Sequence, residues 1–139
     1  MKALSIHPEY AMAIFAKEKT VEVRSWKTSY RGDILICSTA KKMKDTIPGH
    51  AICVVTLDDV VPFGKEHLKG AMAHKNDFAY LKNQYAWILT NVRYIRPIPL
   101  KGKLSLWEYN GPIEYLKIPV TDEEDEKMYK EIYEPLFVQ

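Results

Sequence analysis

From Thr20 to Arg24 polar and apolar side chains alternate, Thr-Val-Glu-Val-Arg, the period-two pattern of a strand with one face on a core. Val21 and Val23 are expected to face inward, with Thr20, Glu22 and Arg24 on the opposite face. Upstream, Pro8 followed by Ala11, Ile14 and Phe15 predicts a short helix with proline in its first turn and one apolar side. Downstream, Tyr30-Arg31-Gly32-Asp33 predicts a turn, and Ile34–Cys37 is an unbroken apolar strand closed by Ser38 and Thr39. A lysine-bearing loop leads to Pro48-Gly49, after which the β-branched stretch from Ala51 to Val61 reads as strand. Residues 65–83 carry a helical pattern interrupted at Gly70, and Tyr85–Ile95 reads as a strand with a break near Asn91. Pro97, Pro99 and Gly102 argue against a central strand in the segment that follows. Thr121 and Glu124 form a capping box opening an acidic helix whose apolar positions include Met128, Ile132, Tyr133 and Leu136. Short strands with a few helices between them predict a small α+β or barrel-like domain rather than a parallel α/β fold.

Composition narrows the class. A chain of 139 residues with 47% hydrophobic and 27% charged residues can bury a core as one domain, which excludes wholesale disorder. No apolar run reaches the roughly 18–20 residues that span a bilayer, so no membrane role is expected. His7, Pro8 and Glu9 interrupt the N-terminal apolar stretch, which therefore lacks the pattern of a signal peptide; a cytoplasmic protein is the default. Cys37 and Cys53 sit inside apolar strands and read as buried free thiols, and the four histidines show no metal-ligand spacing. No metal and no cofactor are expected. Charge is uneven: residues 1–116 hold 17 Lys/Arg against 11 Asp/Glu, and residues 117–139 hold 3 against 7. A basic body, residues 1–116, with an acidic helical extension packed on it, residues 117–139, can steer a polyanion toward one face.

The order of the pieces is more specific than any of them. Lys19-Thr20-Val21-Glu22-Val23-Arg24 after a short helix, then Tyr30-Arg31-Gly32, Tyr85-Ala86-Trp87 and Lys101-Gly102 with Leu106-Trp107, resembles the ASCH domain family over roughly residues 3–107. ASCH domains are similar to PUA domains, so the resemblance implies a small β-barrel with peripheral helices around a cleft, associated with RNA. It also implies that the polar face of the 19–26 strand lines that cleft.

Such a face suits a nucleotide. Lys19 and Arg24 offer charge-assisted bonds to phosphate, and Glu22 can accept from an exocyclic amine or a ribose hydroxyl. Trp26, flanked by Ser25 and Lys27, is the least core-like of the three tryptophans and the expected stacking plane for a base. Trp87 is expected in the core or as a pocket wall, and Trp107 in the core. Ser5, Thr20 and Ser38 are small polar candidates for the cleft wall, Tyr30 and Arg31 for its brace, and Lys41 and Lys42 for a phosphate-contacting rim. The expected partner is single-stranded RNA or a modified nucleoside, with the oligomeric state left open.

Catalysis is the alternative. Some ASCH-fold proteins hydrolyse the amide of N4-acetylcytidine, and others are described as ribonucleases. The amidohydrolases carry a lysine at the Lys19 position and a threonine nucleophile three residues later, where this chain has Glu22. A carboxylate in that place would change the intermediate to an anhydride. Thr20 is displaced by two residues, about 7 Å along a strand. A hydrolase built on Lys19, Glu22 and Arg24 would instead use the carboxylate as general base and the cations on a developing oxyanion.

Overall fold

The computed structural model describes residues 1–139. Six strands form one mixed, curved sheet: β1 (Lys2–Ile6), β2 (Val21–Arg24), β3 (Gly32–Ser38), β4 (His50–Pro62), β5 (Tyr85–Pro99) and β6 (Leu106–Glu108). Their spatial order is β2-β5-β4-β3-β1-β6, with β1 parallel to β3 and every other pairing antiparallel. The two end strands do not pair with each other, so the sheet is a half-barrel. Helix α1 (Pro8–Phe15) packs on β3, β4 and β5. The one-turn helix α2 (Phe78–Leu81) and the C-terminal α3 (Asp122–Met128) lie outside the sheet.

The unbroken apolar run in β3 reflects burial on both faces. Ile34 and Ile36 join the main core with Leu4, Ile6, Ala11, Ile14 and Trp87, while Leu35 and Cys37 join a second cluster with Ala3, Ala51, Val54 and Ile95. Each fully buried side chain of this size contributes roughly 1.5–3 kcal/mol through the water it leaves. In β4 the register slips between Ala51 and Cys53, again between Val54 and Thr56, and again between Leu57 and Asp59, which bends the strand around the core.

Three expectations change. The segment after Phe63 is not a long helix: it holds two single 3-10 turns, at 65–67 and 75–77, before α2. The reason is Gly70, whose carbonyl accepts from the amides of Thr20 (2.9 Å) and Val21 (3.0 Å) and so fastens the loop to the start of β2. A side chain could not do this, because a Cβ at residue 70 would lie 2.6 Å from Thr20 Oγ1 and 2.8 Å from Val21 Cγ2. Strand β5 runs through Asn91, which absorbs a left-handed φ of 53° that asparagine tolerates. It also runs through Pro97 and Pro99, because β2 covers only residues 85–88 of its outer edge and the rest needs no full ladder.

The C-terminal segment is tied in at two points. Tyr133, on a wide π turn that continues α3, is 2% exposed within the main core. Val138 exchanges backbone hydrogen bonds with the 45–46 loop, donating to Thr46 (2.8 Å) and accepting from Asp45 (3.0 Å).

Candidate functional site

A cleft of about 600 Å³ opens where β2, the start of α1 and the 71–73 loop meet. Lys19 reaches it because α1 ends abruptly. Lys17 takes a left-handed φ of 64°, and the amides of Glu18 and Lys19 both donate to Ala13 O, at 2.9 and 3.0 Å. The Lys19 ammonium then donates to Ala71 O (2.9 Å), lies 3.9 Å from Glu22 Oε1 and sits 5.1 Å from the centre of the Tyr10 ring. Gly70 brings that carbonyl within reach, since fastening residue 70 to β2 sets residue 71 beside the lysine. Glu22 Oε2 is 3.0 Å from Arg24 Nη2, which also donates to Ser5 O at 3.0 Å.

The cluster is enclosed. Lys19 and Glu22 are 5% and 6% exposed, and Arg24 is half-buried with its Nε–H unpartnered. Burial pushes the Lys19 ammonium below the usual lysine range; Glu22 pulls it up and Arg24 adds to the depression. On the floor two cations face one carboxylate, and Arg24 is the member closest to solvent; Asp77 adds a second carboxylate at the mouth. His7, Tyr10, Thr39, Asp77 and Tyr80 form the mouth.

The structure brings together Ser5, Lys19, Glu22 and Arg24 from the expected set. Glu22 differs in one respect. Its face of β2 is covered by the 71–73 loop and the start of α1, so its carboxylate holds the two cations and does not stand free. Thr20 is exposed outside the cleft, in a shallow groove with Thr90 and Asn91. Trp26 does not line the cleft either. β2 ends at Arg24, the alternation ends with it, and the Trp26 ring packs edge-on against Trp87 at 4.7 Å while its carbonyl accepts the Trp87 indole N–H. Trp107 is half-buried beside the second cluster, and its indole donates to Ser5 Oγ at 3.3 Å.

Tyr30 and Arg31 serve the turn. The Tyr30 hydroxyl donates to Asp33 O at 2.7 Å, and Arg31 donates to Thr28 O and Tyr30 O and pairs with Asp59. Ser38 is buried opposite Ile6, away from the cleft lining, with its hydroxyl unpartnered. Lys41 and Lys42 are exposed on the loop that follows Thr39 of the mouth. Tyr10, Ala71, Asp77 and Tyr80 are cleft residues that sequence reasoning passed over. Tyr10 had a signal: Pro8, Ala11 and Ile14 define the buried side of α1, which leaves an aromatic ring at position 10 off that side.

A family model described as ASCH domain matches residues 4–99. The chain belongs to the ASCH domain family. Solved ASCH structures from Zymomonas mobilis share the fold: one is 21% identical with a TM-score of 0.60, covering 94% of each chain. A tyrosine-to-phenylalanine mutant of that protein is 22% identical with a TM-score of 0.58, covering 94% of this chain and 96% of that one. A serine-to-alanine mutant gives 21% and 0.59, covering 93% and 94%. Among curated proteins none matches. This ASCH domain is α+β and PUA-like, and no helix in it is long and apolar enough to cross a membrane.

Proposed function

We propose that the cleft of this ASCH domain binds single-stranded RNA or a modified nucleoside. The carrying observation is the buried Lys19–Glu22–Arg24 cluster beneath an aromatic mouth. Arg24 presents a fixed guanidinium to a phosphate or to a base carbonyl, with Glu22 and Ser5 O holding its plane. Tyr10, already polarised by the Lys19 ammonium against its ring, replaces Trp26 as the stacking plane. A volume of about 600 Å³ suits a nucleoside-sized ligand.

The test is fluorescence anisotropy with a labelled single-stranded RNA, competed by nucleosides. Tyr10→Ala and Arg24→Ala are expected to weaken binding at least about tenfold, the worth of one base stack or one charged contact. Trp26→Phe is expected to leave it unchanged. Equal binding by wild type, Tyr10→Ala and Arg24→Ala would sink the assignment.

A second reading, hydrolysis of a modified nucleoside or of RNA, rests on the Lys19 ammonium lying 3.9 Å from the Glu22 carboxylate in the enclosed cleft. Burial lowers the Lys19 pKa, the direction that favours a lysine acting as a base, with Glu22 beside it. Product analysis after incubation with N4-acetylcytidine and with RNA separates the two. Turnover lost in Lys19→Met and Glu22→Gln, with affinity kept, establishes the hydrolase.

A further inference from the structure

A second cavity, of about 760 Å³, lies between the outer side of α1 and the C-terminal segment, and none of Lys19, Glu22 or Arg24 lines it. Its apolar lining is half aromatic, with three methionines and two alanines making up the rest. The Phe15 ring centre is 4.9 Å from both Tyr94 and Tyr133, and Tyr129 and Phe137 stand 5.7 Å apart. Met72, 55% exposed, closes one end. Five carboxylates ring these aromatics: Glu9 and Glu18 from the α1 side, Asp122, Asp125 and Glu126 from α3. No lysine, arginine or histidine lines the cavity.

Local structure accounts for only part of this charge. Asp122 and Asp125 occupy the first turn of α3, where the helix dipole favours them, and Glu126 pairs with Lys130 at 2.8 Å. Glu9 lies 3.7 Å from His7 Nδ1. Glu18 has no such explanation. It follows the C-terminal end of α1, where the dipole disfavours a carboxylate, and it has no ion-pair partner, yet it opens on the same mouth as Asp122 and Asp125. Like charges from two separate elements thus converge on one apolar hollow and focus a negative potential there.

We propose that this cavity binds an amphiphilic organic cation, an alkyl- or arylammonium whose charge lies among the carboxylates and whose apolar body lies on the rings. Aromatic faces and carboxylates both attract such a cation, and the volume is that of a site for one small ligand. Lys17 already shows the attraction, with its ammonium 5.7 Å from the centre of the Tyr94 ring. The cavity carries five carboxylates and no cation in its lining, whereas the cleft holds Lys19 and Arg24 beside Glu22 and Asp77.

Of the five methionines, Met12 and Met128 line this cavity and not the cleft, Met72 lines both, and Met1 and Met43 line neither. Methyl NMR of the full chain therefore reads the site directly. The probe is benzyltrimethylammonium, compared with its uncharged carbon isostere, neopentylbenzene. The expected result is a saturable shift of the Met12 and Met128 methyls with Met1 and Met43 unmoved, and an affinity about tenfold above that of the isostere. Combined Glu18→Gln, Asp122→Asn and Asp125→Asn is expected to remove that preference, with unchanged Met1 and Met43 signals reporting an intact fold. Equal affinity for the isostere would overturn the proposal, as would preference retained in the triple variant or no saturable shift. Binding of a basic amphipathic helical peptide without binding of the small cation would also overturn it, assigning the groove to a protein partner.

Discussion

Glu22 is the residue on which the cleft depends. Glu22→Ala leaves the buried Lys19 and the half-buried Arg24 without a counter-charge and is expected to cost about 2–4 kcal/mol in urea unfolding. Glu22→Gln, which keeps shape and one acceptor, should cost less. A cost within about 0.5 kcal/mol for Glu22→Ala, the range of an ordinary surface substitution, would mean the cluster is solvated in solution. The buried thiols contribute to the loss of stability at high pH, together with Tyr30, Tyr94 and Tyr133, whose phenols burial also pushes up. Burial pushes Cys37 up to about 12 from an ordinary 9.0 and pushes Cys53 up as well. A raised folded-state pKa gives stability that is complete below the unfolded value and lost as pH climbs through the window from 9 toward 12. Lys19, with its pKa lowered, acts oppositely: the unfolded chain holds the proton more tightly, so its term rises with pH up to the ordinary 10.5. Unfolding midpoints above pH 9 should therefore fall less steeply in Cys37→Ala/Cys53→Ala than in wild type, and more steeply in Lys19→Met.

At the scale of elements, the loop after Phe63 and the C-terminal segment are where prediction and structure part. Gly70 reads in sequence as a flaw in a helix, yet it lets the loop lie against β2 and places the carbonyl that Lys19 uses. Periodicity cannot register a contact between residues 52 apart, such as Lys19 and Ala71. The same limit hid the burial of Glu22, because alternation in β2 shows which side faces the sheet core and not what covers the other. Gly70→Ala is expected to lower the melting temperature and to lower affinity with it, since the Cβ must displace Thr20 and Val21; an unchanged melting temperature would show that the loop yields freely. The acidic extension reads as a helix packed on the basic body, its charge set apart from that of residues 1–116. Asp122, Asp125 and Glu126 line the cavity on the outer side of α1, and Tyr133 belongs to the main core. Truncation after Leu116 should thus unfold the protein rather than raise its affinity. Tyr133→Ala alone should cost about 3–5 kcal/mol, the range for losing a buried aromatic side chain.

For the whole molecule, order along the chain carried the fold. Short strands, a proline-started helix, the 19–24 signature and the tryptophan-bearing strand occur in one succession, and the half-barrel follows. Which polar residues meet was legible for Ser5 and for those on or beside β2, whereas Tyr10 and the 71–81 segment enter by topology. The division of charge also acts at this scale. A body of net +6 with an extension of net −4 offers a polyanion few sites, so log affinity for single-stranded RNA against log salt should have a slope of about −1 to −2. A flat dependence would point to an uncharged nucleoside as the ligand. Amide NMR titration of the full chain with a short single-stranded RNA tests the cleft most directly. The expected result is saturable shifts concentrated at Ser5, His7, Tyr10, Lys19, Arg24 and Ala71–Ala73, lost in Arg24→Ala; shifts confined to the Lys41–Lys44 loop, or none that saturate, would contradict an RNA-binding cleft.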